Sequence, residues 1–411
     1  MVGPAFVSST GRRVRVVTPF LAAPGAPDEL GGSSRAHRVA LVSSSYFPHP
    51  GGVELHVRSV AGELRARGHD VVVWTVDRGE GLGVQVIDGV EVRYLPSPLP
   101  ARSLGAVLRF LLDLPAAARA WWRAYRGFAP SVLHVQCFGP NGLYALLLAY
   151  LTRTPLVLTS HGETFADDHR VFDRSALIRT GMRKALDSAE VVTGCSQVVL
   201  DDLKDRFGFE GGRVVPNGVD LDGPVVTPAS STAGCVFAVG RLEHSKGFDL
   251  LLEAFAVADL PSRIRLVIGG DGTVRPSLER RAKELAVGDR VHLTGRLEAA
   301  EVAAHMASAA VVVVPSRKEA FGLVVLEAWR VGAPLIVTSN GGPADLVTDG
   351  ETGLVVDPED ATALARALEL IVTDRATADR FSEAGRVAVR AFPWSRVAEL
   401  YESCYDGVFA A

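Results

Sequence analysis

Short runs of β-branched and aliphatic residues alternate along this chain with longer segments of helical periodicity, and this alternation limits the fold more than any other feature. Such near-continuous apolar runs are typical of parallel strands in a sheet that helices cover on both faces. The first set is RVALVSSSYFP (38–48), DVVVWTV (70–76), VLHVQC (132–137), PLVLTSHG (155–162) and AEVVTGCS (189–196). The second set is CVFAVGR (235–241), RLVIGGDG (265–272), RVHLTGR (290–296), AVVVVPS (310–316) and PLIVTSN (334–340). The sequence therefore predicts two doubly wound α/β sheets.

The segment between the first two runs illustrates the repeating unit. Val53, Val57, Val60 and Leu64 recur at helical spacing, and Gly68 stands where a helix would end. Strand, helix and strand together make one βαβ unit.

A chain of 411 residues is longer than one hydrophobic core usually spans. Pro and Gly interrupt every regular period between 222 and 231, so we place a linker there. The predicted organisation is a flexible leader (1–37), an N-terminal domain (38–225), a C-terminal domain (226–391) and a final helix (392–411).

Composition and missing motifs argue against several classes of protein. The net charge is −4 and the pI is near 6.2, whereas nucleic-acid-binding proteins usually carry a basic surplus. Neither half has G-x-G-x-x-G after its first strand, and G-x-x-x-x-G-K-[ST] does not occur. Dinucleotide oxidoreductases and P-loop NTPases are therefore disfavoured. The four cysteines do not have the spacing of a zinc site.

The sequence does not predict a membrane-spanning segment. No uninterrupted apolar run approaches the ~18 to 20 residues of a membrane span. Arg12, Arg13, Pro19 and Pro24 interrupt the first thirty residues, where a secretory segment would lie. We expect a cytoplasmic protein.

Two cations follow the first strand of the second half. In GRLEHSKG (240–247), Arg241 and Lys246 stand between that strand and the next helix. Open α/β sheets bind ligands at the carboxyl ends of their strands. Both side chains are suited to stabilising a departing diphosphate through charge-assisted hydrogen bonds. An isolated R-x-x-x-x-K pair is more often a solvated pair of loop residues, so the hypothesis depends on its neighbours.

The stretch PSRKEAFGLVVLEA (315–328) carries two carboxylates. Glu319 lies in a predicted loop, and Phe321, Gly322 and Leu323 offer free amides at the start of a helix. If that helix begins near Phe321, Glu327 lies roughly 9 Å along it. One carboxylate could then bind each of two sugar rings, since a carboxylate accepts hydrogen bonds from vicinal hydroxyls.

Two further positions lie at strand ends in the first half. Gly51 and Gly52 open the first helix, where a backbone without side chains can approach an anion. His161 ends a strand on the ligand-bearing edge. A capping or core histidine is the more common role for such a residue, but we favour a polar contact to the reacting sugar or its acceptor.

The ordered set of motifs resembles the retaining glycosyltransferases of family 4, group 1 enzymes that include glycogen-synthase-like and phosphatidylinositol-mannosyltransferase-like members. The motifs are GGVE (51–54), HG (161–162), PNGVD (216–220), GRLEHSKG (240–247) and EAFGLVVLEA (319–328). The resemblance runs from about residue 38 to the end, including a helix at FPWS (392–395) of the kind that crosses back onto the first domain. GGPAD (341–345) departs from the pattern, because relatives more often have a Pro-Glu pair after the glycines.

The resemblance implies the GT-B fold, in which two Rossmann-like domains face a central cleft. The domain at 38–225 would then bind the acceptor, and the domain at 226–391 would bind the nucleotide-sugar. Arg241 and Lys246 would bind the phosphates of a nucleotide-sugar donor, and Glu327 would bind its ribose. Glu319 and the amides of Phe321 to Leu323 would hold the transferred sugar. His161 would lie beside the anomeric carbon, and Arg296 would lie near the base.

The resemblance also implies a reaction. Domain closure would hold a donor, with a UDP-sugar favoured over a GDP-sugar, and an acceptor hydroxyl would attack from the face that the diphosphate leaves. The predicted result is transfer of a hexosyl-type sugar with retention, without a protein nucleophile. Because Asp167-Asp168 is not D-x-D, we expect no metal and no cofactor.

Three alternatives stay open. A nucleotide-sugar epimerase, or a phosphorylase or synthase, could use the same paired sheets, since fold alone does not define function. An inactive nucleotide-sugar-binding protein is the third. The acceptor also stays open among small molecules, glycans and lipid-linked sugars.

Residues 102–126 bear on the acceptor. The segment carries Trp121, Trp122, a single acidic residue and five arginines, which are Arg102, Arg109, Arg119, Arg123 and Arg126. The sequence favours a packed surface pair of helices broken at Pro115. The alternative is a peripheral contact with the inner face of a membrane, because basic helices with tryptophan lie on anionic bilayers.

Overall fold

The computed structural model describes residues 35–49, 51–100, 103–166, 171–223 and 234–409. It also gives the backbone of two short antiparallel strands, β1 (Phe6–Val7) and β2 (Arg13–Val14). The predicted flexible leader falls almost wholly outside these ranges, as do Arg102 and Asp167-Asp168.

The chain forms two compact units. Unit 1 comprises residues 1–217 and 394–411, and unit 2 comprises residues 218–393. The sequence placed the corresponding boundaries at 225 and 391. The chain passes into unit 2 about eight residues before the predicted 225. Local contacts explain the difference, because Asn217 pairs with His56 of unit 1, whereas the Val219 amide donates to the Phe392 carbonyl within unit 2.

Unit 1 contains an eight-stranded sheet within its described residues. The strands are β3 (Arg38–Ser43), β4 (Asp70–Val76), β5 (Val84–Ile87), β6 (Val90–Leu95), β7 (Val132–Gln136), β8 (Leu156–Ser160), β9 (Val191–Gly194) and β10 (Arg213–Val214). Their order is β10-β9-β8-β7-β3-β4-β6-β5, and only β5 pairs antiparallel. The chain reverses its direction of growth between β3 and β7.

Helices cover this sheet. They are α1 (Gly52–Ala66), α2 (Leu104–Phe128), α3 (Pro140–Thr152), α4 (Val171–Arg174), α5 (Ala176–Ser188), α6 (Gln197–Phe207) and α14 (Trp394–Phe409). The predicted α1 is confirmed: Val57, Val60 and Leu64 are buried, and Gly68 follows the helix with φ +93°.

Unit 2 contains a parallel sheet of six strands in the part that the structure describes. They are β11 (Val236–Val239), β12 (Leu266–Gly269), β13 (Val291–Gly295), β14 (Val311–Val314), β15 (Leu335–Thr338) and β16 (Leu354–Val356). The order is β13-β12-β11-β14-β15-β16. The helices are α7 (Phe248–Val257), α8 (Arg275–Glu284), α9 (Ala299–Ser308), α10 (Leu323–Val331), α11 (Gly342–Leu346), α12 (Ala361–Thr373) and α13 (Arg375–Ala388). The prediction of two doubly wound α/β sheets is confirmed.

The expected break at Pro115 is wrong, because α2 is one continuous helix. A proline removes one amide donor and crowds the carbonyl four residues earlier, here that of Leu111. Leu111 and Pro115 both face solvent, so water can satisfy that carbonyl. No helix in the described part of the chain combines the length and apolarity that crossing a bilayer requires.

A buried network of polar side chains joins α14 to the sheet of unit 1. The Tyr401 hydroxyl lies 3.0 Å from His56 Nε2, and the Tyr405 hydroxyl lies 2.8 Å from His134 Nδ1. Asn217 Oδ1 lies 2.7 Å from the other ring nitrogen of His56. Burial lowers the pKa of His56 to about 4 and that of His134 to about 3. Both rings are therefore neutral at pH 7.

Charged groups hold the same helix from a second side. Glu402 accepts a hydrogen bond from Arg67 Nε at 2.7 Å, and its other oxygen lies 2.7 Å from His69 Nε2. His37 Nε2 lies 2.9 Å from the Asp406 carboxylate. These contacts explain why α14 belongs to unit 1, although it follows unit 2 in the chain.

Trp121→Ala is expected to lower the free energy of unfolding by about 3 kcal/mol. Trp121 is 1% exposed, donates from Nε1 to the Pro96 carbonyl at 3.0 Å and stacks on Tyr144. Trp122 is 41% exposed, so Trp122→Ala should cost less than about 1 kcal/mol. Urea denaturation measures both, and equal losses would contradict the placement of α2.

The free energy of unfolding should fall between pH 7 and pH 5. His56, His134 and His161 titrate far below the ordinary 6.5 when folded, so the unfolded state binds more protons throughout this window. Each neutral histidine then accounts for a loss on the order of 2 kcal/mol.

His134→Gln provides the matched comparison. The wild-type protein should lose about 2 kcal/mol more than the variant between the two pH values, and the titration of the carboxylates cancels in this difference. Urea denaturation at pH 7 and pH 5 gives both losses. Equal losses in the two proteins would show that His134 is not buried in its neutral form.

Candidate active site

The sheet of unit 2 changes its direction of growth between β11 and β14. From β11 the chain adds β12 and β13 on one side, and it then crosses to add β14, β15 and β16 on the other. Such a switch point leaves a crevice beyond the carboxyl ends of the two central strands, where α/β proteins bind ligands. The loops that follow β11 and β14, residues 240–247 and 315–322, lie here, and we call them the paired loops.

The loop after β11 is pressed directly against the loop after β14. Gly247 has φ +67°, and a Cβ at this position would overlap the carbonyl oxygen of Pro315. Only glycine permits both the conformation and the approach. This contact sets the position of Lys246, the residue before it.

Arg317 ties the paired loops together. Its guanidinium makes two hydrogen bonds of 2.7 Å to the Asp249 carboxylate at the start of α7, and it donates to the His244 carbonyl at 3.0 Å. The Arg317 amide also donates to the Ser245 carbonyl at 2.8 Å. Burial would raise the pKa of Asp249, but the bonds from Arg317 outweigh it and lower that pKa. The sequence did not reveal this clamp, because nothing in its spacing pairs these residues.

Lys246 and Glu319 meet across the switch point. Lys246 Nζ donates to Glu319 Oε2 at 2.6 Å, and Ser316 Oγ donates to the same oxygen at 3.1 Å. The Lys246 and Glu319 side chains are 23% and 16% exposed, respectively. An ammonium group has three donors, and this ion pair uses one. The two residues that the sequence assigned to neighbouring parts of one ligand are therefore in direct contact.

A glycine pair supports the backbone of Glu319. The Gly342 amide donates to the Glu319 carbonyl at 3.0 Å. Gly341 has φ +124°, and a Cβ there would overlap the same carbonyl oxygen. This is the segment whose sequence departs from the family pattern, and its glycines position Glu319. No motif in the sequence pointed to this role for the two glycines.

Glu327 lies in the second turn of α10. The predicted start near Phe321 was two residues early, because Gly322 is the N-cap with φ +92° and the helix begins at Leu323. Glu327 therefore lies about 6 Å along the helix rather than 9 Å. Its side chain is partly buried, which raises the pKa of its carboxyl, while Arg330 opposes the rise.

The remaining predicted residues of unit 2 lie on the same edge. Phe321 is buried, and helix geometry supplies no partner for the first amides of α10, at Leu323 and just after it. Arg241 and Arg296 are exposed and follow β11 and β13. With β12 between those strands, their backbones stand about 10 Å apart.

His161 of unit 1 is held at the end of β8. Its Nε2 lies 2.7 Å from Gln136 Oε1, and its amide donates to Glu163 Oε2 at 2.7 Å. Burial lowers its pKa well below the ordinary value, and the neighbouring His56 and His134 rings lower it further. The imidazole is therefore neutral at pH 7, so it can form hydrogen bonds but carries no charge.

Glu163 holds the loop after β7 against the loop after β8. It accepts hydrogen bonds from the Phe138 amide at 2.8 Å and from Ser160 Oγ at 3.0 Å. Burial raises the pKa of its carboxyl, and these hydrogen bonds oppose the rise. Sequence reasoning missed both Gln136 and Glu163, although each stands within two residues of a recognised strand end.

Gly51 and Gly52 open α1 as predicted, with Gly51 as the N-cap. The nearly buried Glu54 side chain folds back over this turn, so that a Cβ on Gly51 would lie 2.6 Å from Glu54 Oε2. An anion bound at this helix start would therefore face a carboxylate.

Comparisons with known proteins agree with this arrangement. The family model described as "Glycosyltransferase Family 4" matches residues 50–222, and that described as "Glycosyl transferases group 1" matches residues 226–388. A glycogen synthase of Mycobacterium tuberculosis (strain H37Rv) is 30% identical over 399 residues, covering 90% of this chain and 94% of the relative.

Solved structures show the same fold. A sucrose-phosphate synthase of Thermosynechococcus elongatus superposes with a TM-score of 0.75 at 25% identity, covering 90% of this chain and 99% of that one. HepE of Anabaena, in complex with UDP and glucose, superposes with a TM-score of 0.70 at 20% identity, with coverage of 90% and 99%. The chain belongs to the group 1, family 4 glycosyltransferases, and its fold is GT-B.

Proposed function

We propose that this glycosyltransferase moves a hexosyl-type sugar from a nucleotide diphosphate donor to an acceptor hydroxyl and retains the anomeric configuration. The observation that carries the proposal is the contact between Lys246 and Glu319 at the switch point of unit 2. It places a cation for a phosphate beside a carboxylate for a sugar ring, at the edge where such sheets bind ligands.

The donor phosphates are assigned to the loop after β11. Lys246 has two further ammonium donors, and exposed Arg241 adds a second cation on the same loop. As the bond between C1 and the β-phosphate oxygen breaks, negative charge grows on the diphosphate, and charged donors already in place stabilise it. These cations supply the charge that a metal ion would otherwise provide, so we propose metal-independent transfer.

The two rings of the donor are assigned to the two carboxylates. Glu319, with the first amides of α10, would hold the transferred sugar, and Glu327 would accept from the ribose hydroxyls. Both residues follow β14, Glu319 in the loop and Glu327 about 6 Å along α10. Arg296, two strands away, would lie nearer the base.

Retention follows if the acceptor attacks on the face that the diphosphate leaves. The acceptor oxygen forms the new bond to C1, and its proton passes to the departing diphosphate. This route needs no protein nucleophile. The role of His161, a polar contact to the sugar or acceptor, remains a prediction from the family resemblance.

A UDP-sugar is the favoured donor, and a GDP-sugar is the alternative. Thermal-shift measurements with UDP, GDP and ADP are expected to rank UDP first. A ligand at 100 times its dissociation constant adds about 2.7 kcal/mol of stability, which such a measurement detects. A larger shift with GDP would reverse the assignment of the base.

A donor and acceptor screen then tests the reaction itself. NMR of the product should show the anomeric configuration of the donor, and EDTA should leave the rate unchanged. An inverted product, or a rate lost in EDTA and restored by manganese, would refute the corresponding part of the proposal. Conversion of the donor without any acceptor would indicate an epimerase, and nucleotide binding without turnover would indicate an inactive binding protein.

Lys246→Met is expected to reduce kcat/KM about 100-fold or more, because it removes a donor aimed at the leaving group. Lys318→Met is the matched control, since Lys318 belongs to the paired loops but is exposed. Steady-state kinetics with the donor found in the screen compares the two. Similar rates in both variants would remove Lys246 from the site.

A further inference from the structure

The N-terminal half of α2 exposes apolar side chains to an unusual degree. Between Leu104 and Leu114 no residue is buried, although most are apolar. Leu104 is 92% exposed, and Leu108, Leu111 and Leu112 are 60%, 55% and 71% exposed. Single exposed leucines are ordinary on soluble proteins, but a contiguous group marks a contact surface.

These side chains share one face of the helix. At 100° per residue, positions 104, 108, 111, 112 and 122 fall within one sector, and we call Leu104, Leu108, Leu111, Leu112 and Trp122 the apolar stripe. The buried residues of α2, which are Ala117, Trp121 and Ala124, lie on the opposite side and follow Pro115. The stripe therefore points away from the core of unit 1.

The first half of α2 also packs loosely on the side that faces unit 1. A recess of about 450 Å³ lies between this part of the helix and residues 98–99, with Phe110 and Arg109 among its walls. The helix thus contributes little to the core here, and packing within unit 1 does not account for its leucines.

The charged residues of α2 are nearly all cationic. The helix carries one acidic residue, Asp113, and four exposed arginines, which are Arg109, Arg119, Arg123 and Arg126. This cationic surplus stands on a chain whose net charge is −4. Arg119 and Arg126 lie on the side of the stripe and flank Trp122. Leucines followed by tryptophan and arginine are typical of helices that lie in a bilayer interface.

We propose that the apolar stripe and the arginines of α2 dock this protein on the surface of an anionic lipid bilayer. The leucines would enter the boundary between headgroups and acyl chains, Trp122 would lie at headgroup level, and the guanidinium groups would contact lipid phosphates. The contact is peripheral and uses none of the residues of the paired loops, so its test does not depend on the proposed reaction.

A second copy of the chain fits this surface less well. A two-fold contact along the stripe would place the arginines of each copy against leucines or arginines of the other, with Asp113 as the single acidic partner on each helix. Burying cations without partners is strongly unfavourable. An anionic bilayer supplies the missing counter-charges.

Vesicle flotation with the full chain tests the proposal. The protein should float with vesicles that contain phosphatidylglycerol and stay unbound with phosphatidylcholine alone. Leu108→Gln with Leu111→Gln should lower the bound fraction at least about tenfold, and Arg119→Gln with Arg123→Gln should do the same. Glutamine keeps nearly the helix propensity of leucine and arginine, so α2 should persist, and urea denaturation verifies this.

The control pair is Val84→Thr with Val86→Thr on strand β5, where the valines are 60% and 71% exposed. It should float like the wild-type protein. Absence of binding to anionic vesicles, or equal losses in the leucine and valine variants, would overturn the proposal. A dimer in lipid-free sedimentation that the leucine variant abolishes would assign the stripe to a second copy instead.

Discussion

The arrangement of unit 2 depends on the adjacency of β11 and β14, which brings the Lys246 ammonium to 2.6 Å from the Glu319 carboxylate. A partly exposed ion pair of this kind contributes little net stability, so its importance lies in position. Ser316 and the clamp between Arg317 and Asp249 hold both ends of the pair in place. On the proposed function, a phosphate would accept hydrogen bonds from the two ammonium donors of Lys246 that the ion pair does not use. The organisation of the site is thus built into the folded chain.

Much of this fold could be predicted because its central strands are continuous apolar runs. Within the two large sheets, the strands missed were β5, β6, β10 and β16, which lie at or near the sheet edges, where burial is incomplete and the pattern weakens. One signal was available: Asp88-Gly89, both with positive φ, joins β5 to β6, and such a dipeptide between alternating residues is a strong hairpin signal. The break predicted at Pro115 was wrong because a proline leaves only one helix carbonyl, that of Leu111, without its amide donor. Water can donate to that carbonyl where the helix faces solvent.

The candidate site was predictable only as far as strand ends can be located. Lys246 and Glu319 each follow a strand, and strand ends on one edge converge. The clamp between Arg317 and Asp249 could not be located from strand ends. Arg317 and Asp249 stand 68 positions apart, and only the pairing of β11 with β14 makes them neighbours. Gln136 was likewise invisible, because its link to His161 requires β7 beside β8. The order of the strands in each sheet decides which residues become neighbours, and a single sequence does not specify that order.

The buried network of unit 1 connects two features that the sequence presents as unrelated. Gln136 Nε2 lies 3.1 Å from His134 Nε2 while its oxygen meets His161, and His134 in turn meets Tyr405 of α14. Since Gln136, His134 and Tyr405 are fully buried, a lost partner leaves a polar atom without water to replace it. The hydrogen bonds that hold α14 therefore also fix the orientation of the His161 ring. A helix that enters unit 1 directly from unit 2 thus shares its anchoring groups with the histidine that the family resemblance assigns to the reaction.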